Sequence, residues 1–118
     1  MTEAPLDTCY RADIFGYAFV VAGDGRSTPL DPRLDLRNHS PTGFAWGYAG
    51  SGPAQFALAI LCHALGDDAR ALRLYQRFKA AAIQPFSQHD RFEMSAARVR
   101  EIVEKIETQV GEPGDGRL

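Results

Sequence analysis

Residues 37 to 40 place four polar side chains of different chemistry next to one another in the sequence. A guanidinium, an amide, an imidazole and a hydroxyl are carried, in that order, by Arg37, Asn38, His39 and Ser40. Such a set could polarise a carbonyl group or transfer a proton, and His39 is then the candidate catalytic residue. A loop between two elements is the competing interpretation, because Asn and Ser directly before a proline are typical of turns.

A glycine-rich stretch, GYAGSGP at residues 47–53, forms a second candidate site. It precedes an apolar helical pattern, and the first N–H groups of a helix can hold an anion. The ligand-binding residues would be Arg37, Asn38, His39 and Ser40 together with Gly50, Ser51 and Gly52. The stretch departs from the known phosphate loops, with Pro53 where a lysine is required and Gln55 where the third glycine is required. A structural turn, a nucleotide or phosphate site and a protein contact all remain open.

A basic stripe on the second predicted helix is the third candidate. Arg70, Arg73 and Arg77 fall within one narrow arc of that helix at 100° per residue. They could contact phosphates or an acidic protein surface, or they could simply be a solvated helix face. The net charge of −2 argues against broad nucleic-acid binding, so nucleic acid would have to bind through this stripe alone.

Metal and cofactor chemistry is not predicted. The three histidines, His39, His63 and His89, are widely separated, and His63 lies in an apolar helical pattern that favours a core or boundary position. Cys9 and Cys62 are too few for a disulfide framework, which favours reduced thiols and a cytoplasmic protein. No signal peptide is evident, and the longest apolar run is too short to span a bilayer.

The patterning predicts an α+β fold in a single domain, residues 1–110, followed by a disordered tail, residues 111–118. Strands are predicted at residues 14–22, 33–37 and 44–48, forming a three-stranded antiparallel meander. Three helices are predicted to follow, at residues 54–65, at residues 69–83 and after Ser95, and to cover one face of the sheet. Two free sheet edges and an aromatic face also suggest a homodimer.

The block NHSPTGF-x-WGY-x-GSGPAQ, at residues 38–55, and the segment YQRFK, at residues 75–79, resemble a family of short bacterial and phage proteins known only as a domain of unknown function. This sequence has Ala45 where the family pattern has an acidic residue and Ala49 where it has glycine. The family's occurrence on plasmids, integrated elements and phages implies an accessory role, such as countering host defence or taking part in replication. The resemblance also implies that residues 39–43 and 47–53 form one site.

Two functions of different classes follow from these patterns. The favoured one is a non-enzymatic accessory protein of a mobile genetic element that binds a macromolecule, preferably a protein, because no complete catalytic constellation is visible. The alternative is a nucleotide- or phosphate-binding protein, or an enzyme, that uses the glycine-rich turn for the anion and His39 for acid–base chemistry. A domain that only dimerises and scaffolds is a third interpretation.

Overall fold

The computed structural model describes residues 2–110, which form a four-stranded sheet and three α-helices. In chain order these are β1 (Cys9–Ala12), β2 (Ala18–Val21), β3 (Ser27–Pro29), α1 (Ser51–Leu65), α2 (Asp68–Phe78), β4 (Phe92–Ser95) and α3 (Ala96–Val110). A π-helical turn, Lys79–Ile83, continues α2. The strand order is β3-β2-β1-β4 with every pair antiparallel. The α+β prediction is therefore confirmed, while the predicted tail, 111–118, lies outside the described residues.

The first three strands form an antiparallel meander, but they occupy different residues from those predicted. Of the predicted strand at 14–22, only Ala18–Val21 is a strand, because residues 13–17 form a tight turn between β1 and β2. β1 and β3 are strands of four and three residues, too short to give a clear alternating pattern.

The predicted strand at residues 33–37 is wrong. The segment is a turn in which Arg33 has a positive φ of 58° and its carbonyl accepts the N–H of Leu36 at 3.0 Å. The two leucines of its alternating pattern do not share one buried face, as they would in a strand. Leu36 packs against the core, whereas Leu34 is exposed.

The predicted strand at residues 44–48 is also wrong. Positive φ angles at Gly43 and Gly47 interrupt the extended backbone, and the Gly47 N–H donates to Ile83 O rather than to a neighbouring strand. Trp46 is buried, but Tyr48 is 45% exposed. The fourth strand, β4, lies between the second and third helices, where the sequence predicts no strand.

The helices cover one face of the sheet, as predicted. The side chains on that face are buried and come from Tyr10, Ala12, Ala18, Val20, Phe92 and Met94. On the opposite face Arg11, Phe19 and Glu93 are exposed. α1 is buried along almost its entire length, and thus is the central helix of the core.

The helix ends follow from local chemistry. α1 begins three residues earlier than predicted, without a side-chain cap, and ends as predicted at Gly66, which has a φ of 62°. Asp67 caps α2 by accepting the N–H of Arg70 at 3.1 Å, and Ser95 caps α3 by accepting the N–H of Arg98 at 3.0 Å. Across residues 2–110, no helix is both long and apolar enough to cross a membrane.

Arg33 attaches the turn at residues 33–37 to the start of α2. Its guanidinium donates to both carboxylate oxygens of Asp68, at 2.9 and 2.8 Å, and to both oxygens of Asp35, at 3.1 and 3.0 Å. These hydrogen bonds lower the pKa of the Asp68 and Asp35 carboxyls below their ordinary values. The Asp68 pair is the more buried of the two, so it contributes more to stability.

Replacing Asp68 with asparagine is expected to lower the free energy of unfolding at pH 7 by about 1 kcal/mol. Because the pKa of Asp68 is lowered in the folded state, its contribution is complete well above its unfolded pKa of about 4 and is lost as the pH falls through the folded pKa. Urea unfolding from pH 7 down to pH 2.5 should show the difference from wild type shrinking below pH ~4. Asp35→Asn, which removes the more exposed partner, should cost less. A difference that stays constant down to pH 2.5 would contradict this assignment.

Candidate functional site

Gln55, in the second turn of α1, organises the loop that contains the polar residues 37–40. Its side chain is fully buried, and its oxygen accepts the backbone N–H groups of His39 at 2.7 Å and Ser40 at 3.1 Å. Its amide nitrogen donates to the carbonyls of Pro32 at 2.6 Å and Arg37 at 3.0 Å. The loop is thus bound to the central helix by four hydrogen bonds to one side chain. The sequence signal was a polar residue at the start of an otherwise apolar helix.

His39 is held by α2 as well as by Gln55. Its Nε2 atom lies 2.7 Å from the hydroxyl of Tyr75, which is itself buried. A phenol, rather than a carboxylate, therefore orients the imidazole. His39, Gln55 and Tyr75 all belong to the block and segment that carry the family resemblance, so their contacts give those motifs a structural role. Catalysis by His39 stays a prediction.

The remaining residues of this loop differ in their exposure. The Ser40 hydroxyl is half-buried and donates to Gly43 O at 2.8 Å, which closes the turn. Arg37 is exposed and donates to Leu36 O at 2.7 Å, and Asn38 is exposed beside it. Arg37 and Asn38 are consequently the residues of this loop with side chains most available to a binding partner.

The glycines at the start of α1 allow close packing of neighbouring side chains. A Cβ atom at Gly50 would lie 2.6 Å from the Tyr48 ring, and one at Gly52 would lie 2.8 Å from the Ala45 Cβ. Ser51, between them, is exposed. Pro53 has no N–H to offer an anion. These contacts favour the structural-turn interpretation of residues 47–53, and the nucleotide or phosphate site stays a prediction.

An aromatic cluster lies beneath this loop and joins α1 to β4. The Phe56 ring centroid is 4.7 Å from that of Phe92 and 5.5 Å from that of Trp46. Phe86 packs on Phe92 at 4.4 Å, and the Trp46 indole N–H donates to Asp90 O at 2.9 Å. Trp46, the tryptophan of the family block, is therefore part of the core.

The three arginines of the predicted basic stripe do not share one environment. Arg70 donates to both carboxylate oxygens of Glu107 on α3, at 2.8 and 2.6 Å, and this pairing lowers the pKa of Glu107. Arg73 and Arg77 are exposed. The guanidinium of Arg70 holds α2 against α3. Of the three arginines, Arg73 and Arg77 are therefore the ones available to a partner.

A groove of about 610 Å³ lies beside the C-terminal half of α1, between the N-terminal segment and the Arg33 turn. His63 reaches from it to the sheet, with its Nδ1 atom 2.8 Å from the Tyr10 hydroxyl, and burial lowers the pKa of His63. His63 is exposed, so it does not occupy the predicted core position, although its ring contacts the buried Tyr10. Cys62 lines the same groove, and burial raises the pKa of its thiol to about 12, so it is protonated and unreactive at neutral pH.

Within residues 2–110 no three His, Cys, Asp or Glu side chains converge as metal ligands would.

The most unusual surface is an exposed apolar patch at the turn between β1 and β2, in a segment that the sequence predicts as a strand. We call it the tip patch, and it consists of Ile14 (56% exposed), Phe15 (79%), Tyr17 (67%) and Tyr48 (45%). Ile14, Phe15 and Tyr48 line one small cleft of about 150 Å³. The tip patch therefore joins the β1–β2 turn to the glycine-rich stretch of the family block.

The turn under the tip patch is fixed by hydrogen bonds. The Asp13 carboxylate accepts the N–H groups of Phe15 at 2.9 Å and Tyr17 at 3.2 Å, and the Asp13 N–H donates to Tyr17 O at 3.1 Å. Gly16 has a φ of 88°, and a Cβ there would lie 2.6 Å from Phe44 O. The exposed side chains thus project from a backbone of defined conformation.

Comparison with known proteins identifies the chain only at the level of its family. No curated protein and no solved structure matches it. A family model with the description "Family of unknown function" matches residues 10–105, which include most of β1, the polar loop, the glycine-rich stretch, α1, α2 and β4. Since that match extends over most of the chain, the chain belongs to this family of unknown function, DUF6166.

Proposed function

We propose that the protein is a binding module without catalytic activity, and that it binds a partner protein through the tip patch. The observation that carries the proposal is the exposure of the large side chains of Phe15 and Tyr17, at 79% and 67%. Single exposed apolar residues are common on protein surfaces, whereas a group of them in one place marks an interaction site.

The composition and rigidity of the tip patch suit protein binding. Phenylalanine and tyrosine are enriched at protein interfaces, and tyrosine is among the residues that contribute most to affinity when buried there. Asp13 and Gly16 fix the backbone of the turn before any partner arrives. A fixed backbone reduces the entropy lost on binding, so more of the contact energy contributes to affinity.

The charges near the tip patch favour a protein over a nucleic acid. The adjoining groove on the outer sheet face contains the basic residues Arg11 and Arg91 and the acidic residues Asp13 and Glu93, so its charges balance. Nucleic acid binding depends on an excess of basic side chains that neutralise phosphates. The expected partner is therefore a protein with an apolar cleft that accepts the Phe15 and Tyr17 rings. An accessory protein of a mobile element that counters host defence would act in this way, by occupying a surface of a host protein.

Photo-crosslinking from the tip patch tests this function in the cells that encode the protein. Replacing Phe15 with a photoreactive benzoylphenylalanine should give one discrete protein adduct. The matched control places the same residue at Leu6, which is 55% exposed but lies at the other end of β1. Equal adducts from both positions, or an adduct with nucleic acid, would contradict the proposal.

Affinity measured with the purified cross-linked protein completes the test. The double substitution Phe15→Ser with Tyr17→Ser should raise the dissociation constant on the order of 100-fold, because two rings that pack into the partner are lost. The melting temperature should remain close to that of wild type, since both side chains are exposed. Leu6→Ser should leave the affinity unchanged, and a double variant that binds like wild type would reject the tip patch as the binding surface.

A further inference from the structure

β4 is an edge strand with backbone groups that point away from the sheet. The Ala96 N–H donates to Thr8 O at 2.8 Å, and β1 pairs with β4 in the register Tyr10↔Met94. Bonding alternates along an antiparallel ladder, so the even-numbered residues of β4 bond to β1. The N–H and C=O groups of Glu93, and of Arg91 just before the strand, therefore face outward, where another strand could pair with them.

The opposite edge of the sheet is poorly suited to pairing. The Leu30 N–H donates to Ala18 O, so the even-numbered residues at β3 face β2, and Ser27 and Pro29 face outward. Pro29 has no N–H to donate, which leaves Ser27 as the single outward donor within β3. β4 is consequently the better edge for strand addition.

The charges of Glu93 in β4 and of Arg91 just before it are self-complementary. A cation, an apolar residue and an anion follow one another at Arg91, Phe92 and Glu93. An antiparallel copy centred on Phe92 therefore places each arginine opposite a glutamate. Among residues 2–110, Glu93 has an ion-pair partner, Arg11 at 2.7 Å, whereas Arg91 has none. Charged residues on an edge strand usually oppose pairing with other chains, but here their order favours pairing with an identical chain.

We propose that a second copy of this chain pairs with β4, antiparallel and centred on Phe92, to form a continuous eight-stranded sheet. In that register Arg91 lies across from Glu93 of the second copy, and the reverse pair forms by symmetry. A register centred on Glu93 would set the two Glu93 carboxylates against each other, which is unfavourable. Glu93 keeps Arg11 on its other side, so basic and acidic side chains alternate across the joined sheets.

Sedimentation velocity of the purified full chain, from 10 µM to 1 mM at low salt, tests this dimer. Wild type should dimerise, and Arg91→Glu and Glu93→Arg should each weaken the dimer at least tenfold, since each places like charges across the interface. An equimolar mixture of the two variants should dimerise again, because each pair across the interface then joins a glutamate to an arginine. Arg77→Glu, at an exposed arginine of α2, is the matched control and should dimerise like wild type.

The outcomes separate this dimer from other assemblies and from the proposed function. A wild type that is monomeric at 1 mM, an Arg91→Glu variant that dimerises normally, or a mixture of variants that stays monomeric would overturn the β4 dimer. The double substitution Phe15→Ser with Tyr17→Ser should still dimerise. If it becomes monomeric, the copies associate through the tip patch and the β4 assignment is overturned.

Discussion

Replacing Gln55 with leucine is expected to lower the free energy of unfolding by about 3 kcal/mol or more. The substitution keeps the size of the side chain but leaves two N–H groups and two carbonyls of the polar loop without their partner. Buried groups that lose a hydrogen bond incur their full cost of desolvation unless water reaches them. Chemical denaturation followed by circular dichroism measures the loss, and amide hydrogen exchange at His39 and Ser40 should speed up.

The matched control for this substitution is Gln76→Leu. Gln76 is exposed on α2, so its replacement should change stability by less than about 0.5 kcal/mol. If Gln55→Leu proves as mild as the control, the loop does not depend on the central helix, and the structural role given to the family block is wrong.

Truncation of Phe92 to alanine should cost about 3–5 kcal/mol, because it removes a fully buried ring from the centre of the aromatic cluster. The neighbouring rings of Phe56 and Phe86 belong to a helix and a loop, so they cannot both move to fill the space. The ring centroid of Trp46 lies 5.9 Å away, so its fluorescence reports the change directly.

Phe15→Ala makes the same chemical change at a side chain that is 79% exposed. Its effect on stability should stay within about 0.5 kcal/mol, although the proposed function requires it to weaken partner binding. Similar losses from the two variants would mean that Phe92 is not central to the core.

The sequence predicts the helices better than the strands, and the reason is local. The helical stripes span 11 to 15 residues, and their ends carry recognisable signals at Gly66, Asp67 and Ser95. The strands have three or four residues, and partners distant in the sequence decide where they form. β4 was not predicted because its pairing with β1 depends on residues far away in the sequence.

The candidate site shows the same division between local and distant causes. The polar loop and the glycine-rich stretch are visible in the sequence, but their contacts with Gln55, Tyr75 and Ala45 come from the tertiary fold. Helical spacing predicts Arg70 as part of the basic stripe. Its hydrogen bonds to Glu107 on α3, which hold the two helices together, come from the tertiary fold. Exposure of the tip patch could not be predicted, because an apolar strand and an apolar turn have similar composition.

The pairing of β1 with β4 also has a consequence for how the chain is made. Cys9 is the register partner of Ser95, so β1, an inner strand of the sheet, pairs on one side with a strand that is synthesised much later. Until β4 is synthesised, the side chains of Tyr10 and Ala12, which are buried in the folded protein, are only partly shielded from water. Contacts this distant in sequence slow folding and leave apolar surface exposed in the meantime. A ribosome that stalls before Phe92 would therefore hold a nascent chain that depends on chaperones for its solubility.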